Sequence, residues 1–449
     1  MADMTRRQWI GTATGAAAAG LFGPQVLAQG ITPSVIPATV FGRNAPSNRI
    51  TIGMIGVGRQ GIKVNLAALL AMPEVRVVAL CDVDAWRLNE AKKLVDGRYG
   101  DNSCALYRDW REVVARDDID AIMNSTPDHW HVPISLAAVK AGKHASCEKP
   151  LTLSVAEGRR LADAVAKAGV VFRTDTECRS NADMHRITEL VRNGCVGTVK
   201  HIDVGVPEAD KAGGNPEPMA VPEELDYGMW RGPAPWKPYT VDAVHPVKSL
   251  GRPGWMRCSD TCEGVITNWG THVLDVAQHI LDRERTGPVD VEGTGVFPEP
   301  GSGLWDVLIT FEAQFRYADG VTLRYHTDPK GAYIKVEGED GWIHADWLRP
   351  GPGLIAHDPR ILKTKLTDKD VRFPQRSDKA DFTNAILNND PTMIDAEIGH
   401  RTCSVGQIAH IAIRRGKKLA WDPDTERFTN DEEANKMLER PSRNDWERS

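Results

Sequence analysis

The sequence predicts an α/β fold in two parts, and three observations lead to this prediction. At 449 residues the chain is too long for one ordinary hydrophobic core, which favours two or three domains. Between residues 49 and 173, short apolar strand patterns alternate with helical patterns, as in a doubly wound parallel sheet. Between residues 174 and 430, loops rich in Pro and Gly precede alternating strand patterns. This second pattern predicts an α+β domain with a large open, mostly antiparallel sheet.

The individual elements follow from apolar periodicity and from the turn residues that separate them. In the first part we expect strands at 49–56, 75–80, 121–125, 144–148 and 170–172, and helices at 61–70, 85–95, 132–141 and 155–168. In the second part we expect strands at 291–296, 305–317, 321–326, 332–337 and 341–345, and helices at 379–387 and 398–415.

Residues 1–28 are interpreted as a signal peptide and not as part of the fold. Arg6 and Arg7 precede a short stretch of small and apolar residues at 11–21, and residues 26–28 suit a signal peptidase. Paired arginines in this position are typical of twin-arginine export, which predicts a periplasmic or otherwise exported protein. A disordered basic start is the alternative. Residues 29–48 are predicted to form an extended arm, and residues 431–449 a C-terminal tail.

Composition argues against two kinds of partner. The net charge of −6 leaves no basic excess for phosphates, which disfavours nucleic acid. A membrane-spanning helix needs about 20 apolar residues, and no stretch of the sequence reaches that length. The chain has eight cysteines, and Cys258 and Cys262 lie four positions apart; a local disulfide and free thiols both stay open for this pair.

A glycine-rich motif follows the first predicted strand. Gly56, Gly58 and Gly61 form a G-x-G-x-x-G pattern that opens a helix, and Asp82 ends the next strand. This context is the one that a dinucleotide site requires, because the turn brings backbone N–H groups to a pyrophosphate and the acid meets the ribose hydroxyls. A carboxylate at Asp82 also repels a 2′-phosphate. The motif therefore predicts a Rossmann domain that binds NAD in preference to NADP.

Further along the chain, Ser125–His129, Glu148–Leu151, Trp230–Trp236 and Asn268–His272 complete a recognisable set of motifs. With them the sequence resembles the glucose–fructose oxidoreductase, inositol dehydrogenase and rhizopine-catabolism (Gfo/Idh/MocA) family from about residue 49 to 420, and an exported branch of it. The E-K-P run at 148–150 is the most specific element.

The resemblance implies that Lys149 is catalytic and contacts both the nicotinamide and the reacting carbinol. An ammonium beside a hydroxyl holds the hydroxyl oxygen and lowers the pKa of the hydroxyl group, which assists hydride removal. The proline after the lysine is usually cis in the family, and Glu148 is expected to reach the nicotinamide ribose. The expected NAD-binding residues are Gly56, Gly58, Arg59, Gln60, Gly61, Asp82, Thr126, Pro127, His131, Glu148 and Lys149.

A second catalytic element in the family is D-x-x-x-H, which here begins with Asn268 and ends with His272. Asn268, His272, Asp275 and His279 share one helical face. We expect His272 to accept the carbinol proton and Asn268 to orient its ring; without a carboxylate at position 268, His272 should be a weaker base. The alternatives are an N-cap asparagine followed by satisfied polar residues, and a metal site, which no ligand spacing supports.

Substrate residues are expected in the second domain, where seven of the 13 tryptophans lie between Trp230 and Trp347. Indole rings stack well on sugar C–H surfaces, and about two among residues 230, 236, 255, 269 and 305 should line the pocket. The predicted sugar-binding residues are Lys149, Arg179, Trp236, His245, Arg257, Trp269 and His272, and no metal is expected.

Three functions stay open from the sequence. The first is an exported NAD-dependent oxidoreductase acting on a sugar, glycoside or cyclitol, with tightly bound cofactor. The second is a redox-neutral enzyme that oxidises a carbon transiently and then cleaves or epimerises a glycoside. The third is a non-catalytic sugar-binding protein. A homodimer or homotetramer is also expected, because an apolar open face of the second sheet would need a partner.

Overall fold

The computed structural model describes residues 49–348 and 350–443. Its first domain contains a six-stranded sheet in the order β3-β2-β1-β4-β5-β6, and every neighbouring pair is parallel. This order confirms the predicted doubly wound sheet. The strands are β1 (Ile50–Ile55), β2 (Val75–Cys81), β3 (Ala105–Tyr107), β4 (Ala121–Asn124), β5 (His144–Glu148) and β6 (Phe172–Asp175). Strand β3 was not predicted, because its three residues are too few to show a periodic pattern.

Helices connect these strands, and the helix after β2 has a capping residue at each end. Asp84 accepts hydrogen bonds from the N–H groups of Trp86 and Arg87 at the start of the helix after β2, and Gly100 ends that helix with φ 72°. The helices are α1 (Gly61–Leu66, with π-type hydrogen bonds, continuing as Ala67–Ala71), α2 (Ala85–Tyr99), α3 (Trp110–Val114), α4 (His131–Lys140) and α5 (Val155–Ala168).

The second domain contains a nine-stranded sheet in the order β13-β12-β11-β7-β10-β9-β8-β14-β15. Only β7 and β10 pair in parallel among these described strands, so the predicted mostly antiparallel sheet is confirmed. The strands are β7 (Val199–Val206), β8 (Asp290–Val296), β9 (Thr310–Arg316), β10 (Thr322–Thr327), β11 (Ala332–Gly338), β12 (Gly341–Trp347), β13 (Leu354–Ala356), β14 (Leu419–Asp422) and β15 (Arg427–Phe428).

The helices of this domain are α6 (Ala182–Arg192), α7 (Tyr227–Arg231), α8 (Val265–Asn268), α9 (Gly270–Leu281), α10 (Pro359–Leu362), α11 (Asp378–Asn388), α12 (Ala396–Arg415) and α13 (Glu432–Lys436). Among them, α6, α9 and α12 pack on one face of the sheet. The core between helices and sheet contains buried side chains such as Ile202, Val204, Leu323 and Ile408. Short 3₁₀ turns lie at Asp128–Trp130, Cys178–Ser180, Val241–Ala243 and Trp255–Arg257.

The other face of this sheet is polar, which corrects the expectation of an apolar open face. Asp203, Arg324 and His326 stand on neighbouring strands, and Tyr333 donates a hydrogen bond to Asp203 at 2.5 Å. Arg324 also binds Glu312 at 2.7 Å. Because these polar groups bind one another, this face of the described strands exposes no large apolar area that would need a partner subunit. The homodimer or homotetramer stays a prediction without that support.

The C-terminal boundary also differs from the predicted one. Ala434 and Leu438 are buried in the second core, and the carbonyl of Leu438 accepts a hydrogen bond from the Ala156 N–H at 3.0 Å. Residues 431–438 therefore pack against both domains, whereas a tail was predicted from residue 431. The predicted signal peptide and arm, residues 1–48, lie outside the described residues.

Two further findings concern the described part of the chain. No helix within it is long and apolar enough to cross a membrane. All eight cysteines carry free thiols there, and Cys258 and Cys262 are both buried without a bond between their sulfurs.

A buried charge network joins β6 to helix α11. The Arg173 guanidinium, which is fully buried, binds Asp175 at 2.9 Å and Asp381 at 3.0 Å. The Lys379 ammonium binds Asp175 and also Asp378, the latter at 2.8 Å. Charges without water are stable only when each is paired, so this network fixes the last strand of the first domain against the second.

Replacing one member of this network should destabilise the protein strongly. In Lys379→Ala, the buried Asp175 carboxylate loses its ammonium partner, and we expect a loss of about 3–5 kcal/mol in the free energy of unfolding. Urea unfolding followed by tryptophan fluorescence measures this change. Lys365→Ala, at an exposed position, is the control and should change stability by about 0.5 kcal/mol or less. Equal urea midpoints for the two variants would contradict the proposed role of the network.

Candidate active site

A large cavity lies at the carboxyl ends of the parallel strands, where the second domain covers them. Its volume is about 520 Å³. Open α/β sheets bind ligands at this edge, where neighbouring crossover connections run in opposite directions. Most of the predicted site residues line this cavity: Gly56, Gly58, Arg59, Gln60, Asp82, Thr126, Pro127, Glu148, Lys149, His245, Asn268, Trp269 and His272.

The glycine-rich turn has the geometry that its sequence predicts. Gly56 has φ 85°, and a Cβ atom there would lie 2.6 Å from the Ser125 carbonyl carbon. A Cβ atom at Gly61 would lie 2.4 Å from the Gly56 oxygen. These two glycines are therefore required by the close approach of the backbone to itself. At Gly58 the nearest atom would be 3.8 Å away, which leaves the cavity side of the turn open to a ligand.

Asp82 lies at the end of β2 and faces the same cavity. Its carboxylate accepts hydrogen bonds from the backbone N–H groups of Val57 at 2.8 Å and Asp84 at 2.9 Å. These bonds fix the carboxylate beside the glycine-rich turn, although burial raises the pKa of Asp82. Each oxygen keeps accepting capacity for a ribose hydroxyl. The turn and Asp82 together fit the adenosine diphosphate part of NAD.

Glu148 and Lys149 follow β5 and line the cavity beside this turn. Glu148 accepts hydrogen bonds from Asn65 Nδ2 at 2.9 Å and from Gln60 Nε2 at 3.2 Å. The peptide bond between Lys149 and Pro150 is cis. The Lys149 ammonium donates to Asn268 Oδ1 at 3.1 Å and to the Asn268 carbonyl oxygen at 3.3 Å. The amide of Asn268 therefore positions the lysine.

This arrangement corrects the expected role of Asn268. The His272 ring is bound by Thr176, whose Oγ1 lies 2.6 Å from Nδ1, and not by Asn268. Glu177 Oε2 lies 3.7 Å from the same nitrogen, and the ring packs edge-on against Trp347 with centroids 4.7 Å apart. Burial, followed by the positive charge of Lys149, lowers the pKa of His272 well below its usual value. The imidazole is therefore neutral.

The four residues predicted to share one helical face, from Asn268 to His279, contact two different parts of the structure. Asn268 and His272 face the large cavity, whereas Asp275 and His279 contact Arg179. Arg179 binds Asp275 at 2.6 and 2.7 Å, and it lines a separate cavity of about 220 Å³. Its predicted role in the sugar site is corrected, since its guanidinium is buried and paired. No metal-binding group of side chains occurs among the described residues.

Three other predicted site residues also lie elsewhere. Trp236 is 58% exposed and lies outside the large cavity. Arg257 binds Asp210 and stacks on Trp305 at 4.4 Å, which withdraws it from the cavity. His131 is buried, and its ring nitrogens lie 2.7 Å from the Pro150 carbonyl oxygen and 2.9 Å from the Thr126 carbonyl oxygen. It therefore supports the E-K-P run from outside the cavity.

Sequence reasoning missed several residues of the cavity. Asp128 lines the cavity wall and is only 2% exposed. Its Oδ2 atom has no hydrogen-bond partner among the described residues, and burial raises the pKa of Asp128 to about 7. Its place next to Pro127 was a signal that could have identified it. Glu177, Arg252 and Trp347 also line the cavity. No local motif marks these three, because their position depends on how distant segments pack.

Two family models match the chain. The model described as "Oxidoreductase family, NAD-binding Rossmann fold" matches residues 50–176, and "Oxidoreductase family, C-terminal alpha/beta domain" matches residues 185–448. Among curated relatives, a glycosyl hydrolase family 109 protein of Saccharopolyspora erythraea is 32% identical over 154 residues, 33% of each chain. One of Shewanella baltica is 30% identical over 219 residues, 45% of each chain. The chain thus spans a third to under half of the length of these relatives.

Solved structures share the fold at low identity. The WlbA dehydrogenase of Bordetella pertussis, in complex with NADH and UDP-GlcNAcA, has a TM-score of 0.61 and 16% identity, covering 83% of this chain and 99% of that one. GenD2 from gentamicin A biosynthesis, in complex with NAD, has a TM-score of 0.60 and 19% identity, covering 83% and 97%. The chain belongs to the Gfo/Idh/MocA oxidoreductase family, and its first domain is the NAD-binding Rossmann fold of that family.

Proposed function

We propose that the protein is an exported NAD-dependent oxidoreductase that removes hydride from a carbinol of a sugar, glycoside or cyclitol and keeps its cofactor tightly bound. The observation that carries the proposal is the placement of Lys149 and His272 in the cavity that also contains the glycine-rich turn and Asp82. The paired arginines near the N-terminus support export.

Each residue of the candidate site has a separate role in this proposed reaction. NAD, when bound, would supply the acceptor for the hydride. Lys149 holds the carbinol oxygen with its ammonium, which Asn268 keeps in place at 3.1 Å. His272, neutral at ordinary pH, accepts the hydroxyl proton. The carboxylate of Glu177 is about half exposed and lies 3.7 Å from His272, so it provides a route for that proton to water.

The redox-neutral alternative has its own support. Relatives that match parts of the chain are named glycosyl hydrolase family 109 proteins. An exported enzyme that returns its hydride needs no supply of fresh NAD. Cleavage after transient oxidation also needs acid–base groups beyond the first pair, and Asp128 and Glu177 line the same cavity. A non-catalytic sugar-binding protein would not require Lys149 and His272 to face one cavity.

Asp82 should set the choice of cofactor. In Asp82→Ala, loss of the carboxylate removes bonds to the ribose and the repulsion of a 2′-phosphate, so NAD affinity should fall and the preference over NADP should shrink. Competition titration with both nucleotides measures the preference. Asp101→Ala removes an exposed carboxylate of the same domain and should leave the preference unchanged. An unchanged preference in Asp82→Ala would show that this residue does not face the ribose.

Lys149 and His272 should matter more for turnover than for binding. Their interactions strengthen as charge moves in the transition state, so Lys149→Ala and His272→Ala should each lose about 10²–10⁴-fold in rate. Free sugars and p-nitrophenyl glycosides are screened by NADH absorbance and by nitrophenol release, the second readout identifying the redox-neutral reaction. His201→Ala, on the open sheet face, is the control. Full activity of both cavity variants on a substrate of the parent enzyme would refute the proposal.

The pH dependence should identify His272 as the base. Because its pKa lies well below 6.5, the parent rate should persist at pH 6.5 and fall only in more acidic solution. In Asn268→Asp, a carboxylate beside Lys149 offsets part of the positive charge that lowers this pKa. The acidic limb of the pH–rate profile should then move to higher pH. A limb that stays in place in Asn268→Asp would argue that another group accepts the proton.

A further inference from the structure

A segment of the second domain lies over the cofactor groove of the first. We call residues 245–256 the clasp. Gly251, Arg252, Pro253, Trp255 and Met256 of this segment line the same cavity as the glycine-rich turn. The clasp therefore forms part of the wall that a bound dinucleotide would meet.

Helix α2 of the first domain holds the clasp in place. The Arg87 guanidinium, which is 3% exposed, donates to the carbonyl oxygens of Pro246 at 3.1 Å and Ser249 at 2.9 Å. His245 Nε2 lies 3.0 Å from Asp84 Oδ2, and Asp84 also caps α2. The helix that begins after Asp82 thus positions the clasp beside the expected ribose and diphosphate site.

The charges beside the clasp favour binding of an anion. Arg252 and Arg59 both line the cavity. Burial lowers the pKa of Arg252, and repulsion from Arg257 and Arg59 lowers it further. The carboxylate of Asp210 lies 3.4 Å from Arg252 but is also bound by Arg257. One carboxylate shared between two guanidinium groups leaves positive charge in excess at the cavity wall.

We propose that Arg252 is a ligand of the NAD diphosphate and that the clasp retains the dinucleotide between the two domains. The glycine-rich turn would bind one side of the diphosphate through its backbone, and Arg252 would bind it from the second domain. Guanidinium groups suit phosphate oxygens because they donate in a planar fork. This proposal concerns the cofactor alone and does not depend on which carbinol is oxidised.

The test is the rate at which bound NAD leaves the full-length protein. NAD(H) should co-purify with the parent protein, and exchange against excess fluorescent etheno-NAD gives its dissociation rate. A charge-assisted hydrogen bond contributes enough that Arg252→Ala should release NAD about 10- to 100-fold faster. Arg252→Lys, which keeps the charge, should recover part of the loss.

A matched control comes from the clasp itself. Lys248→Ala removes one positive charge from the same segment, but Lys248 pairs with Glu224 and lines a different, small pocket. Its exchange rate should stay within about twofold of the parent. Competition with ADP and with adenosine separates diphosphate binding from general damage, since Arg252→Ala should weaken ADP and leave adenosine unchanged.

Three results would overturn the proposal. NAD could leave Arg252→Ala at the parental rate, adenosine could lose affinity by the same factor as ADP, or Lys248→Ala could match Arg252→Ala. Arg252 is about half exposed, so loss of its side chain is compatible with folding, which thermal unfolding of each variant checks. If Arg252→Ala lost turnover but exchanged its nucleotide at the parental rate, Arg252 would not be a diphosphate ligand. The loss would then concern the proposed reaction.

Discussion

The hydrogen bonds from the Lys149 ammonium to Asn268 join the end of strand β5 to the short helix α8, and thus connect the two halves of the active site. A lysine that emerges from a buried strand needs polar partners, because an ammonium without water or an acceptor is costly. Asn268 provides two oxygens from one residue. The expected nicotinamide pocket and the expected sugar pocket are consequently joined at this contact.

Electrostatics in the cavity follow from the same contact. An amide at position 268 accepts from the lysine without neutralising it, so the full positive charge acts on the neighbouring imidazole. That charge and burial together keep His272 neutral. The same charge also reaches Asp128, where it opposes the effect of burial. The cavity thus combines a cation, a neutral base and a carboxyl group that is protonated in part near neutral pH.

The sequence was informative where function depends on neighbouring residues and less so where it depends on distant ones. The glycine-rich turn and Asp82 could be predicted, because backbone geometry at Gly56 and Gly61 is a local requirement. The parallel, doubly wound sheet of the first domain could be predicted from the alternation of strands and helices, but its strand order was not predicted. Arg179 could not be placed, because its partner Asp275 is 96 positions away and removes it from the cavity. Thr176 was missed as the partner of His272 for the same reason. The polar open face could have been predicted, because polar side chains alternate with apolar ones along β9 and β10.

The end of β6 combines two features of the molecule within a few residues. Arg173 and Asp175 belong to the buried charge network, and Thr176 and Glu177, directly after them, contact His272. Changes in this run would disturb both the buried charge network and the contacts of His272, so it offers little freedom for evolving a new substrate preference. Leu348 directly follows strand β12 at the rim of the cavity, is exposed, and carries no such network. A change of substrate preference is therefore least disruptive at position 348, where a side chain can change size while His272 keeps its contacts with Thr176 and Trp347.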